Sequence, residues 1–357
     1  MIIRNLVLRN FRSYDFAELS FDKGLNVIVG ENAEGKTNIV EAIHYLSLAR
    51  SFRTAEDANL IREKSDFAAI EAEVSEGSTK KKINVVLTSS GKKVSCNGKA
   101  INRLSELSEL VNVVVFEPPR VLLFKESPKA RRDFLDISLS KQSSIYLEYV
   151  TKYERALRER NELLKLDKPN EVQLEIVTDL LIEVAEKVVR YREMYVEQIN
   201  QVLSKIVTTI KGEQENARIR YQPFARPDAS FKKNAKSAFS KALESDLRKK
   251  VTSIGPHRED FKMSLNGKDV ARYGSQGENR ILTLALTLSP YFLIEDKDKR
   301  PIVVLDDVMS ELDDENKERL ISFLTKFEQV FITSTSLEVK NASVYEVKNH
   351  KIARRNS

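Results

Sequence analysis

The segment from Gly30 to Thr37 carries the clearest chemical signal in the sequence. It reads Gly-Glu-Asn-Ala-Glu-Gly-Lys-Thr, which has the spacing of a phosphate-binding loop. An apolar run at 25–29 predicts a buried strand before it, and residues 38–43 predict the start of a helix after it. Gly30 and Gly35 would let successive backbone amides turn inward, and the helix N-terminus adds partial positive charge. We therefore predict a site for nucleotide phosphates rather than a chance turn.

Two side chains of this loop are expected to do separate chemistry. Lys36 would reach the β and γ phosphates of ATP, and Thr37 would ligate Mg²⁺. The predicted nucleotide contacts cover the loop and the start of the helix, namely Gly30, Glu31, Asn32, Ala33, Glu34, Gly35, Lys36, Thr37 and Asn38.

A pair of carboxylates, Asp306 and Asp307, follows an apolar run at 301–305 that predicts a strand. The carboxyl end of a parallel strand is where phosphate-loop proteins hold Mg²⁺. Thr37 is expected to ligate the ion directly, and we expect Asp306 to hold it through water. Asp307 would orient or polarise the water that attacks the phosphate. The predicted catalytic residues are therefore Lys36, Asp306 and Asp307. A polar turn after a strand is the alternative.

Ser275, Gln276 and Gly277 precede a strongly apolar segment that predicts a helix from 276 to 293. A serine N-cap with free backbone amides is an anion site at a helix N-terminus. A second phosphate site in the same subunit has no obvious use. We therefore expect these residues to contact the γ-phosphate held by another copy of the chain, in an ATP-dependent homodimer.

The elements that position these motifs fall into three stretches. The first 120 residues predict strands with one principal helix at 37–48. A charged stretch at 127–165 predicts a helix, and a turn at 167–170 leads to a second helix of about 40 residues with the same apolar seam. The two predict an antiparallel hairpin, with a plain helical core as the alternative. The end of the chain returns to α/β, and residues 350–357 are expected to fray.

Composition narrows the class of protein. The chain has 357 residues, a formal charge of +6 and one cysteine, Cys96. It can form no intrachain disulfide and no cysteine-rich metal site. No apolar run approaches the length that spans a membrane, so we expect a cytoplasmic protein without a membrane partner. The positive charge favours anionic partners such as nucleic acid without establishing them.

Together, the motifs resemble those of the ABC-type ATPase heads of the SMC class. The run 309–313 (MSELD) after the aspartate pair also matches this class. Five further segments resemble one family of that class, the RecF family of bacterial recombination and gap-repair proteins: 10–14 (NFRSY), 117–119 (EPP), 127–136 (SPKARRDFLD), 160–161 (RN) and 255–258 (GPHR). The resemblance covers essentially the whole chain.

The resemblance implies an α/β P-loop ATPase head with two lobes. Lobe I, of mixed α/β structure, would comprise 1–126 and 251–357, and a mainly helical lobe II with the coiled-coil-like hairpin would comprise 127–250. It implies a weak, DNA-stimulated ATPase that uses ATP and Mg²⁺ and binds DNA at gaps and at junctions of single and double strands. It also implies action with RecR and RecO to load RecA. The segment 332–336 lacks the histidine of ABC transporters, which implies slow hydrolysis.

Several functions and roles stay open at this stage. The chain could be an ATP-dependent DNA clamp in which hydrolysis is negligible; a transporter subunit or a P-loop kinase fits less well. Arg12 could approach the nucleotide or be an ordinary surface arginine. For three further groups, a ligand contact and a local structural role are both open. Arg131 and Arg132 could bind DNA or pair with Asp133 and Asp136, and His257 and Arg258 could contact phosphate or stabilise their turn. A last group could form a DNA-binding face or be ordinary solvated charge: Arg50, Arg53, Arg62 and Lys64.

Overall fold

The computed structural model describes residues 1–102, 106–117, 122–336 and 339–355. They divide into two compact units. The first unit combines three segments, Met1–Val121, Lys205–Gln214 and Arg280–Ser357, and the second combines Leu122–Ser204 and Glu215–Asn279. Pro118 and Pro119 of the predicted EPP segment lie outside the described residues.

One sheet of the first unit is antiparallel and has the order β2-β1-β4-β5-β6-β7. Its longer strands alternate buried apolar and outward-facing residues, as expected of a sheet with one face on the core. The strands are β1 (Ile2–Phe11), β2 (Tyr14–Ser20), β4 (Phe67–Glu76), β5 (Thr79–Thr88), β6 (Gly91–Cys96) and β7 (Lys99–Ala100).

The other sheet has the order β15-β14-β3-β13-β12-β8 and is parallel except for the edge strand β15. Its central strands are continuous apolar runs because both faces are covered. The strands are β3 (Gly24–Val29), β8 (Val113–Phe116), β12 (Ile302–Leu305), β13 (Gln329–Ser334), β14 (Ser343–Lys348) and β15 (Lys351–Arg354).

The core of the first unit joins both sheets through the helix that follows β3, α1 (Lys36–Leu48). The buried amide of Gln329 also connects them, because it accepts from the backbone of Ile3 at 2.8 Å and donates to the carbonyl of Ile3 at 2.8 Å. Two shorter helices complete this unit, α2 (Leu107–Leu110) and α9 (Asp314–Leu324), and α8 (Gln276–Leu293) enters it from the second unit.

The second unit is mainly helical, with a three-stranded sheet of order β11-β10-β9. Its helices are α3 (Pro128–Gln142), α4 (Ser144–Lys165), most of α5 (Glu171–Lys211), α6 (Phe231–Lys249) and α7 (Val270–Tyr273). Its strands are β9 (Ala217–Gln222), β10 (Asp260–Leu265) and β11 (Lys268–Asp269). In the described residues, no helix is both long and apolar enough to cross a bilayer.

The predicted hairpin is present, and α4 and α5 run antiparallel. Near one end, Arg192 donates to the hydroxyl of Tyr146 at 3.1 Å, and near the other, Arg160 donates to Thr178 at 2.9 Å. The seam position that Arg160 occupies is fully buried, and the guanidinium pairs at 2.8 Å with the buried carboxylate of Asp246 on α6. The hairpin therefore shares its core with a third helix.

Three sequence predictions differ from the structure. The helix predicted over 127–165 is broken at Ser143, because its hydroxyl accepts from the backbone of Tyr146 and caps a new helix. Residues 351–354, expected to fray, form β15, because they pair with the unpredicted strand β14. The predicted boundary at 250 also differs from the compact units, which group 251–279 with the helical segments because β10 pairs with β9.

The two arginines at 131 and 132 hold the turn that contains the GPHR segment. Arg131 makes a two-pronged pair with Asp260, with both N–O distances at 2.7 Å, and Arg132 donates to the carbonyl of Glu259 at 2.6 Å. The predicted ion pairs with Asp133 and Asp136 are formed by other cations in the described residues, because Asp133 pairs with Lys129 and Asp136 with Arg192. The two carboxylates still act electrostatically on Arg132.

His257 is held as a neutral ring in the same turn. One ring nitrogen lies 2.7 Å from the hydroxyl of Tyr153, and the other lies 3.0 Å from the carbonyl of Thr252. These contacts fit a ring that accepts from the tyrosine and donates to the carbonyl. Burial lowers the pKa of His257 to about 4. The structural role predicted for His257 is therefore the one observed.

We expect the second unit to lose stability as the pH falls from about 6.5 towards 4, because the unfolded histidine takes up a proton that the folded one resists. The His257→Gln variant has no such group, so its free energy of unfolding should fall less over this range. Urea unfolding of both proteins at several pH values measures the difference. Parallel pH profiles would contradict the assignment, and His350→Gln, which changes an exposed histidine, serves as the control.

Candidate nucleotide site

The phosphate-binding loop connects β3 to α1 in the first unit, as the sequence predicts. Gly35 has φ of 107°, and a Cβ there would lie 2.8 Å from the hydroxyl of Ser13. Gly30 has a different reason to be glycine, because a Cβ would meet the backbone carbonyl of Val347 on β14 at 2.5 Å. Close packing against β14 therefore explains Gly30, in place of the predicted turn of the backbone.

The ammonium of Lys36 lies inside the curve of the loop. It donates to the carbonyls of Gly30 and Glu31, each at 2.7 Å. Burial lowers the pKa of Lys36, and the nearby carboxylates of Asp307 and Asp306 oppose that change. A cation held here by backbone oxygens alone is suited to exchange them for the oxygens of a polyphosphate.

Three hydroxyl and carboxylate oxygens meet at the carboxyl ends of neighbouring strands. Thr37 donates to Asp306 at 3.1 Å, and Thr333, at the end of β13, donates to the same carboxylate oxygen at 2.6 Å. Burial raises the pKa of Asp306, while its bonds to Thr333 and Thr37 oppose that change. The structure therefore brings together the two residues predicted to hold Mg²⁺.

The donor set fits Mg²⁺. This ion takes oxygen ligands and is usually held by one or two carboxylates together with waters and substrate phosphates. Thr37 and Asp306 would supply a hydroxyl and a carboxylate from two sides of one small space. A bound cation would also favour the ionised form of Asp306, which burial alone disfavours.

Asp307 follows with a left-handed backbone, at φ of 50°. Its amide donates to the hydroxyl of Thr333 at 2.9 Å, so Thr333 holds both aspartates of the pair. In the sequence, Thr333 was noted only as part of the segment that lacks the histidine of ABC transporters. Its place at the end of a predicted strand beside the loop strand could have identified it.

A buried carboxylate on α1, Glu41, holds two arginines beside the loop. Arg12 pairs with it in two-pronged fashion at 2.7 and 2.9 Å, and Arg53 approaches it at 3.3 Å. Arg53 also donates to the side chain of Asn38 at 2.9 Å. The structure thus places Arg12 next to the loop helix. Sequence reasoning missed Glu41, whose acidic side chain on a predicted apolar helix face was the available signal.

The second unit carries the other predicted anion site, at the start of α8. Ser275, Gln276 and Gly277 are exposed there. The hydroxyl of Ser275 accepts from the backbone of Glu278 at 3.1 Å, and the carboxylate of Glu278 accepts from the backbone of Ser275 at 2.7 Å. This reciprocal capping box confirms the predicted N-cap. The amides of Gln276 and Gly277 remain as N-terminal donors of the helix.

Comparison with known proteins shows the family to which the chain belongs. A model of the RecF/RecN/SMC N terminal domain matches residues 2–354. The chain is 37% identical to the DNA replication and repair protein RecF of Halalkalibacterium halodurans, over 99% of this chain and 100% of that protein. It is 36% identical to the protein of the same name from Bacillus subtilis, over 98% and 99% of the two.

Comparison with solved structures gives the same family and fold. The chain is similar to a structure of the recombination mediator protein RecF with ATP in the RecFOR pathway, with a TM-score of 0.90, 32% identity, and coverage of 99% of this chain and 97% of that one. It also shares its fold with an Smc head domain from Pyrococcus furiosus, at a TM-score of 0.59 and 18% identity, with coverage of 99% and 96%.

Replacing Thr333 by valine, which has nearly the same shape, should weaken Mg²⁺-dependent ATP binding by about tenfold. The reason is that Asp306 and the amide of Asp307 lose a shared hydrogen-bond partner. The bond to the charged carboxylate alone contributes about 1.5–3 kcal/mol. Thr333→Ser keeps the hydroxyl and should behave like the original. Titration with a fluorescent ATP analogue, with Mg²⁺ and with EDTA, measures this. Equal Mg²⁺ dependence in both variants would remove Thr333 from the site.

Proposed function

Because this chain belongs to the RecF/RecN/SMC N terminal domain family, we propose that it is an ATP-dependent DNA-binding protein of recombinational gap repair. It binds ATP with Mg²⁺, dimerises in that state and hydrolyses ATP slowly. One observation carries the proposal: Thr37 and Asp306 lie 3.1 Å apart beside the lysine of a phosphate-binding loop. The similarity to the ATP-bound RecF structure, at 32% identity over 99% of the chain, supports ATP as the nucleotide.

Different residues of the first unit bind the phosphates, hold the metal ion and position the attacking water. The backbone amides of the loop and the ammonium of Lys36 bind and orient the β and γ phosphates. Thr37 and Asp306 hold the Mg²⁺ ion, which neutralises phosphate charge when it is bound. Asp307 orients the attacking water and accepts its proton. Arg12, fixed by Glu41, stands beside the helix on which Thr37 and Asn38 lie, and we assign it to the nucleotide site.

The signature residues of the second unit act on the nucleotide of another copy. The support for this assignment comes from the structure around these three residues. Ser275, Gln276 and Gly277 are exposed, and α8 presents two N-terminal amides to an incoming anion. A Cβ at Gly277 would have nothing of the chain within 4 Å, so packing within the described chain does not require glycine there. Close approach by a second molecule would require it.

DNA is the partner that the charge and the family favour. A chain of charge +6 that pairs into a dimer presents twice the positive charge to a duplex. Arg50, Arg62 and Lys64 are exposed in the first unit and are candidates for phosphate contacts, although Arg62 has an exposed ion pair with Asp15 at 3.4 Å. Arg53 is bonded to Asn38 and to the buried Glu41. The proposal includes gapped or junction DNA in the bacterial cytoplasm, stimulation of the ATPase by DNA, and action with RecR and RecO to load RecA.

A clamp with negligible hydrolysis is the second candidate. The segment at 332–336 has no histidine, and Thr333 is the residue of this segment that bonds to the aspartate pair. A neutral hydroxyl does not supply the charge or the proton transfer of an imidazole. Turnover measured with and without gapped DNA separates the candidates, because a clamp would show none in either case.

Mixing two inactive variants tests the shared site. Ser275→Arg should bind ATP as a monomer yet neither dimerise nor hydrolyse it, because the arginine fills the space where two backbones approach. Lys36→Met should lack hydrolysis because the phosphates lose their cation. A mixture should recover part of the ATPase activity, since one site can combine the intact loop of the first chain with the intact signature of the second.

The control for this experiment is Ser230→Arg, at the start of another exposed helix of the same unit. It should dimerise and hydrolyse ATP like the original chain. If Ser275→Arg lost ATP affinity as a monomer, the serine would belong to the site in its own chain and the shared site would be rejected.

DNA binding should require ATP and should weaken steeply with salt. Contacts to several phosphates release counterions, so the logarithm of affinity should fall linearly with the logarithm of salt concentration. Fluorescence anisotropy with a gapped duplex, measured with ATP, with ADP and without nucleotide over a salt series, gives the slope. Equal affinity in all three nucleotide states would contradict the ATP switch, and a flat salt response would contradict phosphate contacts.

A further inference from the structure

The exposed side of the first half of α5 carries carboxylates at every fourth residue. Because four residues are close to one helical turn, they form a single line, which we call the acidic ridge: Glu171, Glu175, Asp179 and Glu183. All four are exposed, and no lysine or arginine occurs in the chain between Glu171 and Glu186. This is unusual in a chain whose net charge is +6.

The ridge is not balanced within the unit. Like charges four residues apart repel on a helix. Among the described residues, one member of the ridge has an ion pair, Asp179, whose carboxylate lies 2.8 Å from the ammonium of Lys236 on α6. The charge of Glu175 also acts on this lysine. One lysine does not offset four exposed carboxylates, so a cation from outside the chain would relieve their repulsion.

Apolar surface borders the ridge on both sides. On one side, each of three ridge residues is followed by an exposed apolar side chain: Val172, Ile176 and Leu180 are 66%, 56% and 52% exposed. On the other side, a groove of about 440 Å³ lies between α5 and α6. Its charged lining comprises three ridge carboxylates together with Arg160 and Lys236, and its apolar lining comprises Pro169, Leu174, Ile182, Phe239, Leu243 and Leu247. Exposed apolar side chains concentrated on one face in this way mark interaction sites.

We propose that this face of the second unit binds a cationic amphipathic helix of a partner protein. The apolar residues of such a helix would enter the groove and cover the stripe of Val172, Ile176 and Leu180. Its lysines or arginines would meet Glu171, Glu175 and Glu183. A side-chain row of four-residue spacing is the ridge that a second helix packs against, and a groove with an acidic rim suits an amphipathic helix with a basic face.

The charge of the face excludes three other occupants. Nucleic acid and anionic membrane surfaces would be repelled by the acidic ridge. A second copy that used the same face would bring the four carboxylates against their own counterparts, because a two-fold interface joins identical patches. The proposed site is therefore separate from the DNA contacts and from the ATP-dependent dimer.

Labelled synthetic peptides test the proposal on the full-length chain. The probe is an amphipathic helix with leucines on one face and lysines on the other, and its binding is followed by fluorescence anisotropy. Two matched peptides accompany it, one with glutamate in place of each lysine and one with the lysine–leucine order scrambled. The first peptide should bind, and the other two should not.

Two variants of the chain locate the binding. The double variant Ile176→Ser with Leu180→Ser should bind the lysine peptide at least about tenfold more weakly, because two apolar contacts are lost. Glu175→Lys with Glu183→Lys should do the same and should flatten the salt dependence. Met194→Ser is the matched control, since this side chain is 57% exposed on the same helix beyond the ridge.

Several results would overturn the proposal. These are equal binding of the scrambled peptide, binding of the glutamate peptide, no binding of the lysine peptide, or the same loss in Met194→Ser. Loss of gapped-duplex affinity in the Ile176 and Leu180 variant, with peptide binding intact, would assign the face to DNA. Loss of dimerisation with ATP in that variant would assign it to a second copy. In each case, an unchanged far-UV circular dichroism spectrum and urea unfolding midpoint show that the helices of the second unit are folded in the variant.

Discussion

The site depends on the parallel register of three neighbouring strands. β3 delivers the phosphate-binding loop, and β12 delivers Asp306 and Asp307. β13 lies between them, and Thr333 is its penultimate residue. Because all three run in the same direction, their carboxyl ends coincide at one edge of the sheet. The central strand thereby supplies the hydroxyl that bonds to both aspartates. A slip of one residue in β13 would turn Thr333 to the opposite face and separate the loop from the carboxylates.

The second unit is organised by buried charge instead. Arg160 pairs with Asp246, and Arg192 pairs with Asp136 and with the buried Glu259. Removing charges from water is costly, and removing one partner of such a pair typically costs about 3–5 kcal/mol. These pairs connect α3, α4, α5, α6 and the turn before β10, which are far apart in sequence. We infer that they fix the relative positions of elements that apolar contacts alone would allow to shift.

Much of this could be predicted from the sequence, for physical reasons that differ among residues. The phosphate-binding loop, Asp306 and Asp307 are local patterns beside strongly apolar strands, so adjacent residues suffice to identify them. Helix α8 was predicted with its observed ends because a capping box and an apolar run define it. Thr333 and Glu41 were missed because their roles depend on partners that are not adjacent in sequence, although a strand end and an acidic residue on an apolar helix face marked the two positions. The partner of Arg131 was missed for the same reason, as Asp260 lies 129 residues away.

The order of strands also has a consequence for synthesis of the chain on the ribosome. β3 is complete by Val29, yet its two neighbours in the sheet, β13 and β14, begin at Gln329 and Ser343. The strand that bears the loop therefore stays without its native neighbours until nearly the whole polypeptide has been made. Pairing across such long separations is slow and leaves strand edges exposed in the meantime. The second unit draws on two central segments, Leu122–Ser204 and Glu215–Asn279, which are complete before β13 and β14 have been made. This unit can therefore fold first, and the nascent protein gains a nucleotide site only as its last strands emerge.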